Sequence, residues 1–122
     1  MLPITTDPKE LKCVPYQRYG HTACAYGQKI YIWGGRNDRS ACNRLFCYDT
    51  EKQQWSCPTV YGCIPRARDG HAACIIGDKM YIIGGFIDDE QYAEGLHALD
   101  LRTMTWEYIA AVCNFFFVFA VL

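Results

Sequence analysis

Apolar residues in this chain come in short runs, each cut off by glycine or polar residues, and no long segment shows a helical period. His21 to Tyr26 is the first run. Gly27-Gln28 breaks it, and a glycine at the first central position suits a two-residue hairpin turn. Lys29 to Trp33 follows, rich in β-branched and aromatic residues, and Gly34-Gly35 ends it. After a polar stretch from Arg36 to Arg44, Leu45 to Asp49 reads as a third strand. Thr50 to Gln53 then turns the chain into Gln54 to Cys57, which Pro58 stops. The same plan returns as His71 to Ile76, Lys79 to Ile83, Leu96 to Leu101 and Thr105 to Ile109. The pattern predicts an all-β fold.

The recurrence extends to individual residues. Arg18-Tyr19-Gly20-His21 returns as Arg68-Asp69-Gly70-His71, and Gly34-Gly35 as Gly84-Gly85, both 50 positions later. Tyr48-Asp49 returns as Leu99-Asp100, and Trp55 as Trp106, both 51 positions later. A repeat near this length, with four strands per copy, fits the blade of a β-propeller. Ile30 to Trp33 and Met80 to Ile83 are apolar without interruption, as expected of strands covered on both faces by neighbouring blades. The glycine pairs permit backbone conformations and close approaches closed to other residues. The tryptophans supply large buried area late in each copy.

Composition narrows the function. Twelve basic residues against 13 acidic ones give a net charge of −1, without the basic excess of a general nucleic-acid binder. Eight cysteines would suit a disulfide scaffold, but no Cys-x-x-Cys occurs, and Met1 to Tyr16 has no apolar signal-peptide run. Cys13 matches Cys63, and Cys24 matches Cys74, which points to repeated packing roles. The expectation is reduced, mostly buried thiols in a cytoplasmic protein, with the nucleus as the alternative. Residues 110–122 are apolar apart from Asn114 but too short for a membrane helix, and no membrane association is expected.

The glycine pairs, Tyr48-Asp49, Trp55 and Trp106 at this spacing resemble the kelch repeat. So do the longer stretches Val14-Pro15-Tyr16, Trp33-Gly34-Gly35-Arg36-Asn37-Asp38, Ala41-Cys42-Asn43, Ala67-Arg68-Asp69-Gly70-His71 and Thr103-Met104-Thr105-Trp106. The expected organisation is an N-terminal extension (1–14), repeat 1 (15–60), repeat 2 (61–109) and an apolar non-kelch tail (110–122). That makes a partial kelch β-propeller of two four-stranded antiparallel blades. A third copy would place Phe115, Val118, Ala120 and Val121 where Pro15, Arg18, Gly20 and His21 stand, so every marker is lost there, as in a truncated isoform.

The resemblance implies a non-catalytic module that binds proteins or peptide C-termini and needs no cofactor. More finely, it implies the substrate-recognition propeller of a cullin-2 ubiquitin ligase, reading peptides that end in glycine. The elongin-adaptor box of such receptors has no counterpart in this sequence. The alternative implied role is a chromatin-associated kelch scaffold linked to meiotic recombination.

Binding residues are expected where the longest loops share one face: Tyr16 to Gly20, Arg36 to Arg44, Thr59 to Gly70 and Phe86 to Gly95. Guanidinium groups there suit a carboxylate, which selects Arg18, Arg68, Arg36 and Arg39, with Asn37 and Asp38 beside them. These arginines alternatively hold loops through Asp38, Asp69 or blade-edge carbonyls. Tyr16, Tyr19 and Tyr61 offer ring surfaces for a ligand or for blade packing. Asp88-Asp89-Glu90 puts an acidic segment on the second copy's loop. His21 and His71, at equivalent strand starts, read as structural, and Asp49 and Asp100 as turn acceptors. No histidine or cysteine spacing suggests a metal site.

Overall fold

The computed structural model describes residues 7–88 and 91–109. The start of the N-terminal extension, the Asp89-Glu90 pair and the apolar tail 110–122 lie outside the described residues.

The first blade is β1 (Tyr19–Tyr26), β2 (Lys29–Arg36), β3 (Phe46–Asp49) and β4 (Gln54–Ser56), paired in that order and antiparallel throughout. Each falls on one of the apolar runs. Gly27 makes the hairpin turn with φ of +58°, a conformation only glycine adopts cheaply. At the β3–β4 turn, the Asp49 carboxylate accepts the backbone N–H groups of Glu51 and Lys52, both at 3.0 Å. Those bonds, that of Lys52 first, hold its pKa below the usual carboxylate range. Asp100 repeats this turn by accepting the Arg102 N–H at 2.9 Å. Both aspartates are turn acceptors, as their repetition implied.

The second blade carries more than four strands. Between the blades run β5 (Tyr61–Gly62) and β6 (Arg68–Asp69). The blade continues with β7 (Ala72–Ile76), β8 (Lys79–Ile83), β9 (Phe86–Ile87), β10 (Gln91–Tyr92), β11 (Leu96–Asp100) and β12 (Thr105–Ile109). β7, β8, β11 and β12 reproduce the four antiparallel strands, and β5 adds a fifth, parallel to β12 at the outer edge. The segment expected as a loop from Phe86 to Gly95 forms β9 and β10, which join β6 in a small three-stranded sheet. This sheet prolongs the blade beyond Gly84-Gly85; in the first blade β1 and β2 run through the equivalent point unbroken. One turn of helix, α1 (Pro8–Leu11), precedes the first blade; Asp7 caps it by accepting the Lys9 N–H at 2.9 Å.

The blades pack face to face. Tyr31, Trp33, Leu45 and Cys47 of the first meet Met80, Ile82, Leu99, Leu101 and Trp106 of the second in one core cluster. Alternation along the strands explains the choice. In β2, Tyr31 and Trp33 point into this interface and are buried, whereas Ile30 and Ile32 point away and are only half-buried. The two tryptophans differ for the same reason. Trp106 lies on the face turned to the first blade, beside Trp33 with ring centroids 5.7 Å apart. Trp55, its repeat partner, lies on the first blade's outward face, half-buried against Tyr48. Continuous apolar strands therefore need a neighbour on each face, and the described residues provide it on one.

The seven described cysteines are free in the structure, and only Cys42 and Cys47 are buried. Cys13, Cys24, Cys57 and Cys74 are half-buried and Cys63 is exposed, which corrects the expectation of mostly buried thiols. The short runs holding Cys24 and Cys74 lie in edge strands, β1 and β7, and these have a neighbour on one side only. No helix among the described residues is long and apolar enough to cross a membrane.

Candidate functional site

Arg18 and Arg68 make the same pair of contacts in the two blades. Arg18 Nε donates to the Tyr16 carbonyl at 3.1 Å and Nη1 to the Gly34 carbonyl at 3.1 Å. Arg68 Nε donates to the Arg66 carbonyl at 3.1 Å and Nη1 to the Gly84 carbonyl at 3.2 Å. Each guanidinium thus ties the segment before its first inner strand to the glycine pair that ends the second. Of the two roles open to these arginines, the contacts fill the loop-holding one. Arg68 is 2% exposed and lies 6.0 Å from the Trp33 ring centre, and burial, then the charge of Arg66, lowers its pKa. Replacing Arg68 by Met removes the donor to the Arg66 and Gly84 carbonyls at a buried site. The expected loss is about 2–4 kcal/mol of stability in urea unfolding, with a smaller loss for Arg18→Met at its half-buried site.

Arg36 bridges the blades. Nε lies 2.8 Å from Asp69 Oδ1 and Nη2 lies 2.6 Å from Asp88 Oδ1. Asp88 also accepts the Ala41 N–H at 3.3 Å, and the bonds to Arg36 and then Ala41 hold its pKa below the usual range. Gly70 N–H donates to the Gly20 carbonyl at 2.9 Å, and Arg68 N–H to the Cys42 carbonyl at 3.4 Å. The loop segments expected to share a face do meet here. Asp88, read from sequence as part of an acidic segment on the second copy's loop, is an inter-blade clamp on Arg36.

His71 also bridges the blades. Its Nε2 lies 2.8 Å from Thr22 Oγ1, and its ring meets Trp33 edge-on at 5.0 Å. Burial, and next the charge of Arg68, push its pKa down to about 4. His21, at the equivalent place, is exposed, because no described blade precedes the first one.

The remaining candidates form an open recess of about 310 Å³, lined by Gln17, Arg18, Tyr19, Asn37 and Asp38. Asn37 Oδ1 accepts the N–H groups of Arg39 and Ser40, at 2.9 and 3.0 Å, and so shapes the loop tip. Asp38 and Arg39 are exposed. Tyr16 and Tyr19 are 45% and 57% exposed, and the Arg18 guanidinium lies 4.3 Å from the centre of the Tyr16 ring. Tyr61 is exposed on β5. With Nε and Nη1 engaged, Arg18 Nη2 is enclosed and has no hydrogen-bond partner. Gln17 is the recess residue that sequence reading missed; its only signal is its place between Tyr16 and Arg18. Among the described residues, no group of three or more His, Cys, Asp or Glu side chains could hold a metal ion.

Two blades of four antiparallel strands with a shared core, each with a positive-φ glycine pair and an arginine ahead of its first strand, define a repeat-built β-propeller fold. The family model for the KLHDC2/KLHL20/DRC7 Kelch-repeats domain matches residues 5–114, and the chain belongs to the kelch-repeat family. It is similar to kelch domain-containing protein 3 of Bos taurus, 46% identical over 106 residues, covering 83% of this chain and 27% of the relative. The Homo sapiens protein of that name is 45% identical over 98 residues, covering 79% of this chain and 26% of the relative. Leucine-zipper-like transcriptional regulator 1 of Mus musculus matches over 41 residues at 44% identity, 34% of this chain and 5% of that protein. The chain thus spans about a quarter of the length of these curated kelch relatives. The family is a generally non-catalytic binding fold, and the chain is a protein-binding type of module.

Proposed function

We propose that this module binds protein C-termini through the recess at Arg18, as part of the substrate-reading propeller of a cullin-2 ubiquitin ligase working in the cytoplasm. Arg18 carries the reading. Arg18 lines the recess, and its guanidinium, set between the Tyr16 and Phe46 rings, keeps an enclosed Nη2 without a hydrogen-bond partner. An enclosed, unpaired donor on a charged group costs about 1–3 kcal/mol, which a carboxylate relieves once the exposed Tyr16 ring swings aside to admit it. Asn37 and Asp38 at the loop tip offer amide and carboxylate partners to the peptide backbone. Tyr19 offers an exposed ring beside them. A small terminal residue such as glycine fits a recess in which the acceptor must approach a half-buried guanidinium closely.

Titration of the chain with fluorescent peptides ending in glycine, and with the same peptides amidated, tests this. Tighter binding of the free acid by about tenfold or more is expected, as for one charge-assisted hydrogen bond. Arg18→Ala should erase the difference while the strands persist by circular dichroism. Equal affinity for acid and amide removes carboxylate recognition and leaves the alternative, a chromatin-associated scaffold.

A further inference from the structure

The first blade carries a two-cysteine arrangement that the second lacks. Cys13 follows α1 and Cys57 follows β4, and they lie side by side because α1 docks on that strand. Two contacts fix the approach. Glu10 Oε1 accepts the Trp55 N–H at 2.9 Å, and the Cys13 N–H donates to the Glu10 carbonyl at 2.8 Å. Both cysteines line one surface recess with Glu10 and Trp55, and both are half-buried rather than enclosed. Arg44 reaches them from the polar loop, its Nη2 lying 4.0 Å from Cys13 Sγ. Burial first, and then a hydrogen bond from the Cys57 thiol to the Cys13 sulfur, push the Cys57 pKa up to about 12.

The second blade shows what is particular here. Cys63 stands where Cys13 does, but the counterpart of Cys57 is Tyr108. There the preceding segment is held by the main chain instead: the Tyr61 N–H donates to the Met104 carbonyl and the Cys63 N–H to the Trp106 carbonyl, both at 2.9 Å. In the first blade a helical turn and one glutamate side chain replace that parallel strand. A covalent link would supply the attachment that the main chain does not.

We propose that Cys13 and Cys57 form a reversible dithiol–disulfide site that staples the N-terminal segment to the outer edge of the first blade. The oxidant is a low-molecular-weight disulfide. The Cys13 sulfur, next to the positive Arg44, attacks one sulfur of that disulfide and expels the other half as a thiolate. The Cys57 sulfur, losing its proton to water, then attacks Cys13 Sγ of the mixed disulfide and expels the second half. Two protein thiols lose two protons and two electrons, and the disulfide reagent is reduced to two thiols.

The test uses the full chain, reduced, desalted and exposed to oxidised glutathione. After alkylation, digestion with chymotrypsin separates Cys57 from Cys63 by cutting at Tyr61. The expected product is peptide 12–16, released by cuts at Leu11 and Tyr16, joined to peptide 56–61, with a rise in melting temperature on the order of 10 °C. Cys57→Ser should stop at a glutathione adduct on Cys13, and Arg44→Gln should slow closure several-fold without altering the circular dichroism. Glutathione adducts in place of the cross-link overturn the site. So does a disulfide between Cys24 and Cys74, the other neighbouring thiols, forming as fast.

Discussion

Gly34→Ala should cripple the chain, while Gly84→Ala, at the matching place one repeat later, should be tolerated. Both glycines have a left-handed backbone, with φ of +74° and +72°. Alanine in that conformation costs about 1–2 kcal/mol at either site. What differs is the space. A Cβ on Gly34 would stand 2.3 Å from His71 Cε1 and 3.1 Å from the Arg68 carbonyl oxygen, whereas a Cβ on Gly84 meets nothing within 4 Å. His71 is pinned between Thr22 and Trp33 and has little room to yield. Overpacking adds about 1–3 kcal/mol, so Gly34→Ala should cost about 2–5 kcal/mol in total, out of the 5–15 kcal/mol typical of a domain. Thermal melts should place Gly34→Ala on the order of 10 °C below Gly84→Ala. Equal melting temperatures would mean that the blades do not meet at His71.

Acid should loosen the same junction well above the range in which carboxylates titrate. His71 has a pKa of about 4 in the folded protein, against about 6.5 when unfolded. Burial is the main cause, followed by the Arg68 charge; Asp69 opposes the shift and His21 adds to it. Between these two values the unfolded chain binds a proton that the folded chain refuses. Stability is therefore complete above about pH 6.5 and falls as the pH drops towards 4, by about 3 kcal/mol. His97 is shifted the same way, by burial and then Arg68, and adds to the slope. Urea unfolding across pH 7 to 4 measures it. His71→Gln, which keeps an amide for Thr22 and removes the titration, should flatten most of the curve. A wild-type stability independent of pH over this window would sink the assignment of a neutral, buried His71.

The strands were legible because each blade strand is a separate apolar run, and the turns because glycine or aspartate marks them. The repeat offset supplied the pairing of blades with no further information. Less was legible wherever pairing is made by the backbone alone. Tyr61-Gly62 joins β12 in parallel, more than 40 residues further along the chain, and neither residue carries a strand pattern that announces it. β9 and β10 sit in a stretch that reads as polar loop, because their bonds satisfy a short extension of the sheet rather than a core. The one-turn helix did leave a trace, Asp7 before Pro8, which is a capping residue followed by a proline suited to the first turn. Of the candidate site, the loop face and its Arg18, Asn37 and Asp38 were readable. The burial of Arg68 was not. A charged residue beside glycine looks exposed in sequence, and the carbonyl that holds it lies 16 positions away.

The offset between copies is 50 residues up to the glycine pairs and 51 from the third strand onward. The pairings Arg36 with Ala41 and Phe86 with Tyr92 locate the change, since four residues separate the first pair and five the second. The extra residue therefore enters at the tip beyond the small sheet, and both blades keep their register and their shared core. Loop length at this face is decoupled from the frame that carries it. Segments of different size and charge can accordingly be exchanged at 37–40, to retarget the surface towards other ligands, while the blades beneath are left as they are.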